Sequence, residues 1–533
     1  MFDRVKSAGV LMASVAAFGL WAGMGQAQSL PSPFAQVVAA EASSHDGIAA
    51  FYRTNGYPAI WTGEDGAARR EALINALLRA DEQDLPTHRY DIVALQEMLG
   101  TAQTEGDRAR IEVAYSRAFV QYAGDVKSGI LDPKAIDKTL VREIKRPKAE
   151  DILAAVMTSD PARVLRDQMP KSPQFAQLLR AKIDLQAKIK QGGWGPTVGT
   201  RALAPGQSGP AVVALRDRLI AMGYMRRSAT QTYDAEMISA VQRLQLDHGL
   251  KATGEANAAT MAEINVSPET RLRSIHVAIE RMRWLGDTPL GDRHVWVNLP
   301  DFTAKIIDHG KVTFETRAVI GKNTDETHTP EFSDVMEHMV INPSWGVPRS
   351  IIVKEYLPLL QANPNAVSHL QVVDGRGRVV PRGSVNFAAY SGRSFPYGLR
   401  QPPSAGNALG KVKFMFPNPY NIYLHDTPAK SLFQQEVRAY SHGCIRLADP
   451  IDFAHALLAV QDADPEGTFD RFLKTGQESI VPLVTKIPVH LVYFTAFPGA
   501  RGQMTYRHDI YGRDAKIAEA LAAAGVELGG EQG

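Results

Sequence analysis

The sequence predicts a multidomain α+β protein, with a helical scaffold and a small three-helix module preceding a mostly β region that carries an inserted lid. Three observations carry this. Helical periodicity rich in Ala, Leu, Arg and Glu runs from about Ser32 to Lys190, a Gly/Pro-rich stretch from Gly192 to Pro210 interrupts it, and short strand-like runs begin at His294. A chain of 533 residues with 44% hydrophobic side chains has ample core for several domains.

At the N-terminus, Arg4 and Lys6 precede an apolar run from Ala8 to Met24 and the small-x-small site Gly25-Gln26-Ala27. Residues 1–27 therefore read as a secretory signal; the run is near the lower length limit of a membrane span, so an uncleaved anchor is the alternative. Residues 28–200 form the helical scaffold, as in Arg70 to Leu78, and its aromatic cluster of Phe51, Tyr52, Tyr57 and Trp61 is expected to be core. The stretch 192–210 is read as a linker. Residues 203–266 form the three-helix module. Val212, Leu215, Leu219 and Met222 line one helix face, Ile238, Val241 and Leu244 line a second, and a third short helix spans Ala258 to Ile264.

Residues 267–290 are a connecting amphipathic helix. The β region, 291–490, has strands at 294–299, 304–308, 313–320, 335–341, 414–416, 422–424 and 489–494, with Asp308-His309-Gly310 as a hairpin turn and a helix from Asp452 to Val460. Residues 362–410 interrupt it with Asp374-Gly375-Arg376-Gly377, Ser391-Gly392-Arg393 and Arg400-Gln401-Pro402-Pro403, and are read as a mobile lid whose arginines attract carboxylates. Residues 491–533 are a C-terminal extension.

Without residues 1–27 the chain holds 57 Lys+Arg against 56 Asp+Glu, and this near-neutrality argues against nucleic acid as a partner. An exported protein meets an oxidising compartment, where cysteines are usually paired. Cys444 is the only cysteine here, so it is either a packed core thiol or a reactive group.

Its surroundings favour reactivity. Cys444 lies in Tyr440-Ser441-His442-Gly443-Cys444-Ile445-Arg446-Leu447, and His425 is nineteen positions upstream. Residues two apart on an extended segment have Cβ atoms roughly 6 to 7 Å apart, whereas residues facing each other on neighbouring strands approach to about 5 Å. On this ground His425 is expected to be the base in preference to His442. The sequence lacks His-x-His, Cys-x-x-Cys and zincin spacings, so neither a metal nor another cofactor is expected.

The string Ser441-His442-Gly443-Cys444-Ile445-Arg446, with Tyr423-Leu424-His425-Asp426-Thr427 before it, resembles the signature of the L,D-transpeptidases, cysteine enzymes that cross-link bacterial peptidoglycan. Asn342 to Pro348, Asn407 to Gly410 and Asn418 to Tyr423 extend the match, which covers roughly residues 290 to 490. The 203–266 module resembles the type 1 peptidoglycan-binding domain through Gly206-Gln207-Ser208-Gly209-Pro210 and Ala240 to Gln245; the alternative is a degenerate copy kept as a spacer.

The resemblance implies Cys444 as nucleophile and His425 as base, with the other imidazole nitrogen bonded to the Asp426 carbonyl and a minor role for the Asp426 carboxylate. It implies oxyanion stabilisation by Tyr423 and by backbone N–H groups around Gly443. His442 is expected to order the loop. Arg446 is expected to bind a substrate carboxylate or hold the loop, Trp345 to line the donor groove or else to pack as a buried side chain between Pro343 and Pro348, and Ser441 to belong to the substrate-binding segment. The implied substrates are peptidoglycan stem peptides as donor and acceptor, joined as 3-3 cross-links, in a periplasmic, carbapenem-sensitive enzyme that shapes the cell wall alongside wall-synthesis proteins. An L,D-carboxypeptidase, an enzyme anchoring proteins to peptidoglycan, and an inactive peptidoglycan-binding protein are the alternatives. A membrane is a partner only through an uncleaved N-terminal segment.

Overall fold

The computed structural model describes residues 32–529 except 287 and 501, so the expected signal, 1–27, lies outside the described residues. Among the described residues no helix is long and apolar enough to cross a membrane. Helices from Pro33–Ala42 to Pro173–Lys190 build the scaffold. Phe51, Tyr52 and Trp61 are buried in its core as expected. Beneath them the Glu112 carboxylate accepts hydrogen bonds from the backbone of Ile60, Trp61 and Thr62 and from the Tyr52 hydroxyl, which satisfies a turn that packing has removed from water.

The three-helix module folds as Pro210–Ala221, Ala235–Asp247 and Ala258–Asn265 around Val212, Leu215, Leu219, Val241 and Leu244, with Met222 and Ile238 packed at the edge. The stretch before it is not a free linker. Val198 and Leu203 are buried in the module's core, and Leu203 bridges to Ala256, because two apolar side chains among glycines and prolines still bury when a core is adjacent.

Helix Pro268–Leu285 departs further from expectation. It is capped by Ser267, whose side chain accepts from the Thr270 N–H, and it begins on proline. Instead of showing one face to water it is buried nearly all round, including Arg271, His276, Glu280, Arg281 and Arg283. The Arg281 charge is paired inside with Glu331 and Asp514, and His276 Nδ1 lies 2.5 Å from Asp84 Oδ1. The helix is a spine shared by the scaffold, the β region and the C-terminal segment.

The β region is a closed ring. Its strands are β1 (Arg293–Asn298), β2 (Thr303–Asp308), β3 (Lys311–Gly321), β4 (Phe332–Ile341), then β5 (Trp345–Gly346), β6 (Gln371–Val373), β7 (Val379–Val380) and β8 (Gly398–Gln401) in the insertion. After these come β9 (Val412–Met415), β10 (Leu424–His425), β11 (Ala439–Ser441), β12 (Ile445–Leu447), β13 (Ser479–Val492) and the hairpin β14 (Ala496–Pro498) and β15 (Met504–Tyr506). The main sheet runs β11-β3-β12-β10-β9-β4-β13-β1-β2, and β2 also pairs with β3, which closes it. Apolar side chains such as Val295, Ile306, Met339, Phe414, Leu424 and Ile445 fill its core. His309 and Gly310, both at positive φ, form the expected two-residue turn between β2 and β3. β13 is longer than the sequence suggested, because a register shift between Pro482 and Ile487 accommodates prolines that argue against a strand.

The insertion expands the hairpin between β4 and β9. These strands pair through Ile341 and Val412, and Asn342 N–H donates to Lys411 O at 2.9 Å across the neck. It starts earlier than expected, at Trp345, with a small sheet ordered β5-β8-β6-β7 over its own apolar cluster of Ile352, Leu360, Val372, Phe387, Phe395 and Leu399. Arg382 donates to the carbonyls of Pro364, Ala366, Val367 and Leu370, while Arg378 pairs with Asp374 and Arg400 bonds Gln371. Several of its arginines thus hold the insertion's own fold.

Candidate active site

The site forms where β10 and β12 lie parallel at the centre of the ring. Leu424 pairs with Ile445 and His425 with Arg446. One step back, this register sets Cys444 across from Tyr423. Side chains alternate along each strand, so Leu424 and Ile445 enter the core while Tyr423, His425, Cys444 and Arg446 share the other face. His425 is therefore diagonal to Cys444, which corrects the expectation that the two face each other directly. The half-buried Cys444 donates its thiol to Asn421 O at 3.4 Å and makes no hydrogen bond to His425 among the described residues.

The imidazole is nevertheless set for its expected role. His425 Nδ1–H donates to the Asp426 carbonyl at 2.5 Å, so Nε2 carries the free lone pair. The ring is buried and lies 5.6 Å from the Tyr423 ring, centroid to centroid. The Asp426 carboxylate is occupied elsewhere, accepting from Lys411 N–H at 2.8 Å, Thr427 N–H at 2.7 Å and Lys430 Nζ at 2.7 Å. It also explains Gly410 in the Asn407-Ala408-Leu409-Gly410 motif: Gly410 has φ +59, and a Cβ there would collide with the Asp426 side chain.

Burial sets the protonation states. It pushes the Cys444 thiol up to about 11 against the stabilising effect of hydrogen bonds from Tyr423. Burial, with Arg446 next in weight and Lys413 adding to it, pulls His425 down to about 3. Both shifts favour a neutral thiol and a neutral imidazole at neutral pH. The Tyr423 hydroxyl is driven upward by burial and by the neighbouring sulfur, so it stays protonated and able to donate.

The remaining expected residues fall into different places. Ser441 is buried; its hydroxyl accepts from Gly443 N–H at 3.1 Å and donates to Cys444 O at 2.5 Å, so it organises the turn instead of facing a substrate. The same bond occupies the Gly443 N–H and leaves Cys444 N–H without an acceptor among the described residues. His442 Nε2 lies 2.6 Å from Glu355 Oε1, which ties its loop to the insertion. Trp345 packs on the insertion's core with its ring edge-on to Tyr356, 6.4 Å between centroids. Arg446 is half-buried and its enclosed Nε has no hydrogen-bond partner among the described residues.

Sequence reasoning missed Lys413, which β9 places directly across from His425 on the side opposite Arg446. An isolated lysine in the apolar run Val412-Lys413-Phe414-Met415 was the available signal. It also missed Glu355 and Thr329, which lie far from the motif in sequence. Among the described residues no group of three or more His, Cys, Asp or Glu side chains is arranged to hold a metal ion.

Comparison with known proteins follows this division of the chain. Residues 292–481 match the family model described as the L,D-transpeptidase catalytic domain, residues 208–264 a putative peptidoglycan binding domain, and residues 46–181 a scaffold domain. A putative L,D-transpeptidase of Haemophilus influenzae is 30% identical over 260 residues, which is 48% of this chain and 50% of that protein, so the chain spans about half the length of this relative. Among solved structures, the L,D-transpeptidase (residues 123-326) from Xylanimonas cellulosilytica aligns at 13% identity and a TM-score of 0.18, covering 56% of this chain and 100% of that one. A fused Zn-dependent amidase/peptidase/peptidoglycan-binding domain-containing protein from Clostridium acetobutylicum aligns at 12% identity and a TM-score of 0.15, covering 54% and 98% respectively. At these scores neither structural alignment bears on mechanism.

Proposed function

We propose that this chain, which carries an L,D-transpeptidase catalytic domain and a peptidoglycan-binding domain, forms 3-3 cross-links through an acyl-enzyme on Cys444. The observation that carries the proposal is the shared face of Tyr423, His425, Cys444 and Arg446, with the His425 Nε2 lone pair left free by the Nδ1 bond to Asp426 O.

The chemistry follows from the two neutral groups. Cys444 sulfur attacks the carbonyl between diaminopimelate and the terminal D-alanine while its proton passes to His425, so that the thiolate develops only as the new bond forms. Tyr423 hydroxyl and Cys444 N–H donate to the developing oxyanion. D-alanine leaves with the proton from His425; the side-chain amine of a second stem then attacks the thioester carbonyl, giving a proton to His425, and the C–S bond breaks as the Cys444 sulfur takes that proton back. Arg446 and Lys413 supply positive charge for stem carboxylates. The insertion, tethered through Glu355 to His442, serves as a lid that keeps water from the thioester. The secretory-signal reading of residues 1–27 supports a periplasmic site of action, with the three-helix module holding the enzyme on the wall.

Purified protein incubated with tetrapeptide stems should yield 3-3 linked dimers by muropeptide mass analysis. Tripeptides alone would indicate an L,D-carboxypeptidase, conjugates to protein an anchoring enzyme, and unchanged stems would overturn the acyl-transfer proposal. A carbapenem should add once per chain, at Cys444; an adduct elsewhere would contradict the nucleophile assignment.

A further inference from the structure

Residues beyond 481 lie outside the span matched to the catalytic domain, yet they reach the loop that carries Cys444. Helix Arg513–Ala523 begins with a side chain that is 0% exposed. The Arg513 guanidinium donates to Thr329 O at 2.8 Å and to Glu331 Oε1 at 3.0 Å. Thr329 is also 0% exposed. Its hydroxyl accepts from Gly321 N–H at 3.0 Å and donates to Gly443 O at 2.7 Å, so both of its hydrogen-bonding roles are used. Tyr511 secures the same corner by donating to Gly321 O at 2.7 Å and stacking on His328 with centroids 4.1 Å apart.

In a trans peptide the C=O and the following N–H point in opposite directions. Anchoring the Gly443 carbonyl on Thr329 therefore turns the Cys444 N–H the other way, away from Thr329. Gly443 permits this with φ +117, a conformation that L side chains rarely adopt. Ser441 has taken the Gly443 N–H, whereas the Cys444 N–H has no acceptor among the described residues.

We propose that Thr329, seated by Arg513 of the C-terminal helix, is a positioning residue that fixes the Gly443–Cys444 peptide so that Cys444 N–H meets the oxyanion. The proposal rests on the acyl-transfer function above. As sulfur bonds to the carbonyl carbon, the C=O pair moves to oxygen and the thiol proton passes to His425; Cys444 N–H donates to that oxygen. On collapse the C=O re-forms, the C–N bond breaks, and the leaving nitrogen takes the proton from His425. The C-terminal segment thus belongs to the catalytic machinery.

Two reactions of the same sulfur test this. Acylation by a carbapenem builds an oxyanion, whereas alkylation by iodoacetamide does not. In the full-length chain, Thr329→Val should slow acylation by about ten- to a hundredfold while alkylation stays within about twofold, and Thr329→Ser should restore acylation to within about threefold. On stem peptides the loss should fall in kcat with KM unchanged. Thr329→Ala provides the same comparison if the valine variant does not fold. Equal slowing of acylation and alkylation, or none in either, overturns the proposal. A wild-type chain that takes no acyl group overturns the acyl-transfer function and this proposal with it, whereas a wild type that acylates beside an equally fast Thr329→Val overturns this proposal alone.

Discussion

His442 Nε2 and Glu355 Oε1 lie 2.6 Å apart, joining the residue two positions before Cys444 to the π-helical turn Ile352–Tyr356 at the root of the insertion. The neighbouring Lys354 pairs with Glu326, so an ion pair and a hydrogen bond, side by side, fasten this turn to the ring. Glu355→Gln should loosen the insertion and raise the ratio of hydrolysis to transfer by about two- to fivefold, because exposed pairs of this kind are each worth less than about 1 kcal/mol. Muropeptide products report the ratio, and hydrogen exchange over 345–410 should slow on carbapenem binding in the wild type and less in the variant. Unchanged exchange with an unchanged ratio would reject the lid role.

Cys444→Ala should abolish acyl-enzyme formation with the fold retained, since it deletes the nucleophile but little volume. Turnover should fall by at least about a thousandfold. His425→Ala should lose about a hundred- to ten-thousandfold, because alanine provides no acceptor for the thiol proton. Stem-peptide mass spectrometry measures both; near-normal turnover in either variant would contradict the assignment.

The two buried groups predict an unusual pH profile. With Cys444 raised to about 11, alkylation by iodoacetamide should climb with pH through neutrality and show no plateau below pH 10. With His425 lowered to about 3, the imidazole stays unprotonated above that value, so acylation should lack the acid limb that an ordinary histidine gives near 6.5. A thiol plateau near pH 7 would show a preformed thiolate–imidazolium pair instead.

Tyr423 lies across from Cys444, and its raised pKa keeps the hydroxyl a donor at every working pH. Tyr423→Phe keeps the ring against His425 and removes that donor. Acylation should slow by about tenfold or more, with the urea midpoint of unfolding little changed. An undiminished acylation rate would remove Tyr423 from the oxyanion site.

Stability should carry its own pH dependence from the spine helix. Burial raises Glu280 to about 7 from the ordinary 4.5, opposed by Arg283 and by the backbone N–H of Leu131. The folded state holds its proton where the unfolded state has lost it, so this residue's contribution to stability is greatest below pH 4.5 and declines as pH rises to about 7. The total decline is about 3 kcal/mol. Thermal unfolding midpoints of Glu280→Gln should vary less between pH 5 and 8 than those of the wild type; identical pH dependence would sink the argument.

The sequence by itself singled out Cys444, His425 and the alternation of helical and strand-rich stretches along the chain. A lone cysteine beside glycine and helical patterns broken by glycine and proline are local signals, and Cys444, His425 and the module's buried face were legible for that reason. Tertiary structure alone decided that Tyr423 stands opposite Cys444, because strand register depends on pairing between separate segments. It also turned Ser441 and His442 to structural bonds, and it revealed Lys413 beside His425. The largest difference lies in the helix Pro268–Leu285 and the C-terminal segment. Their charged residues suggest a solvated connector and an extension, but Arg281, Glu331, Arg513 and Asp514 are buried together. A charged side chain enters the interior only when its partner arrives with it, and the partners here, 50 to 233 residues apart, are brought together only by the fold.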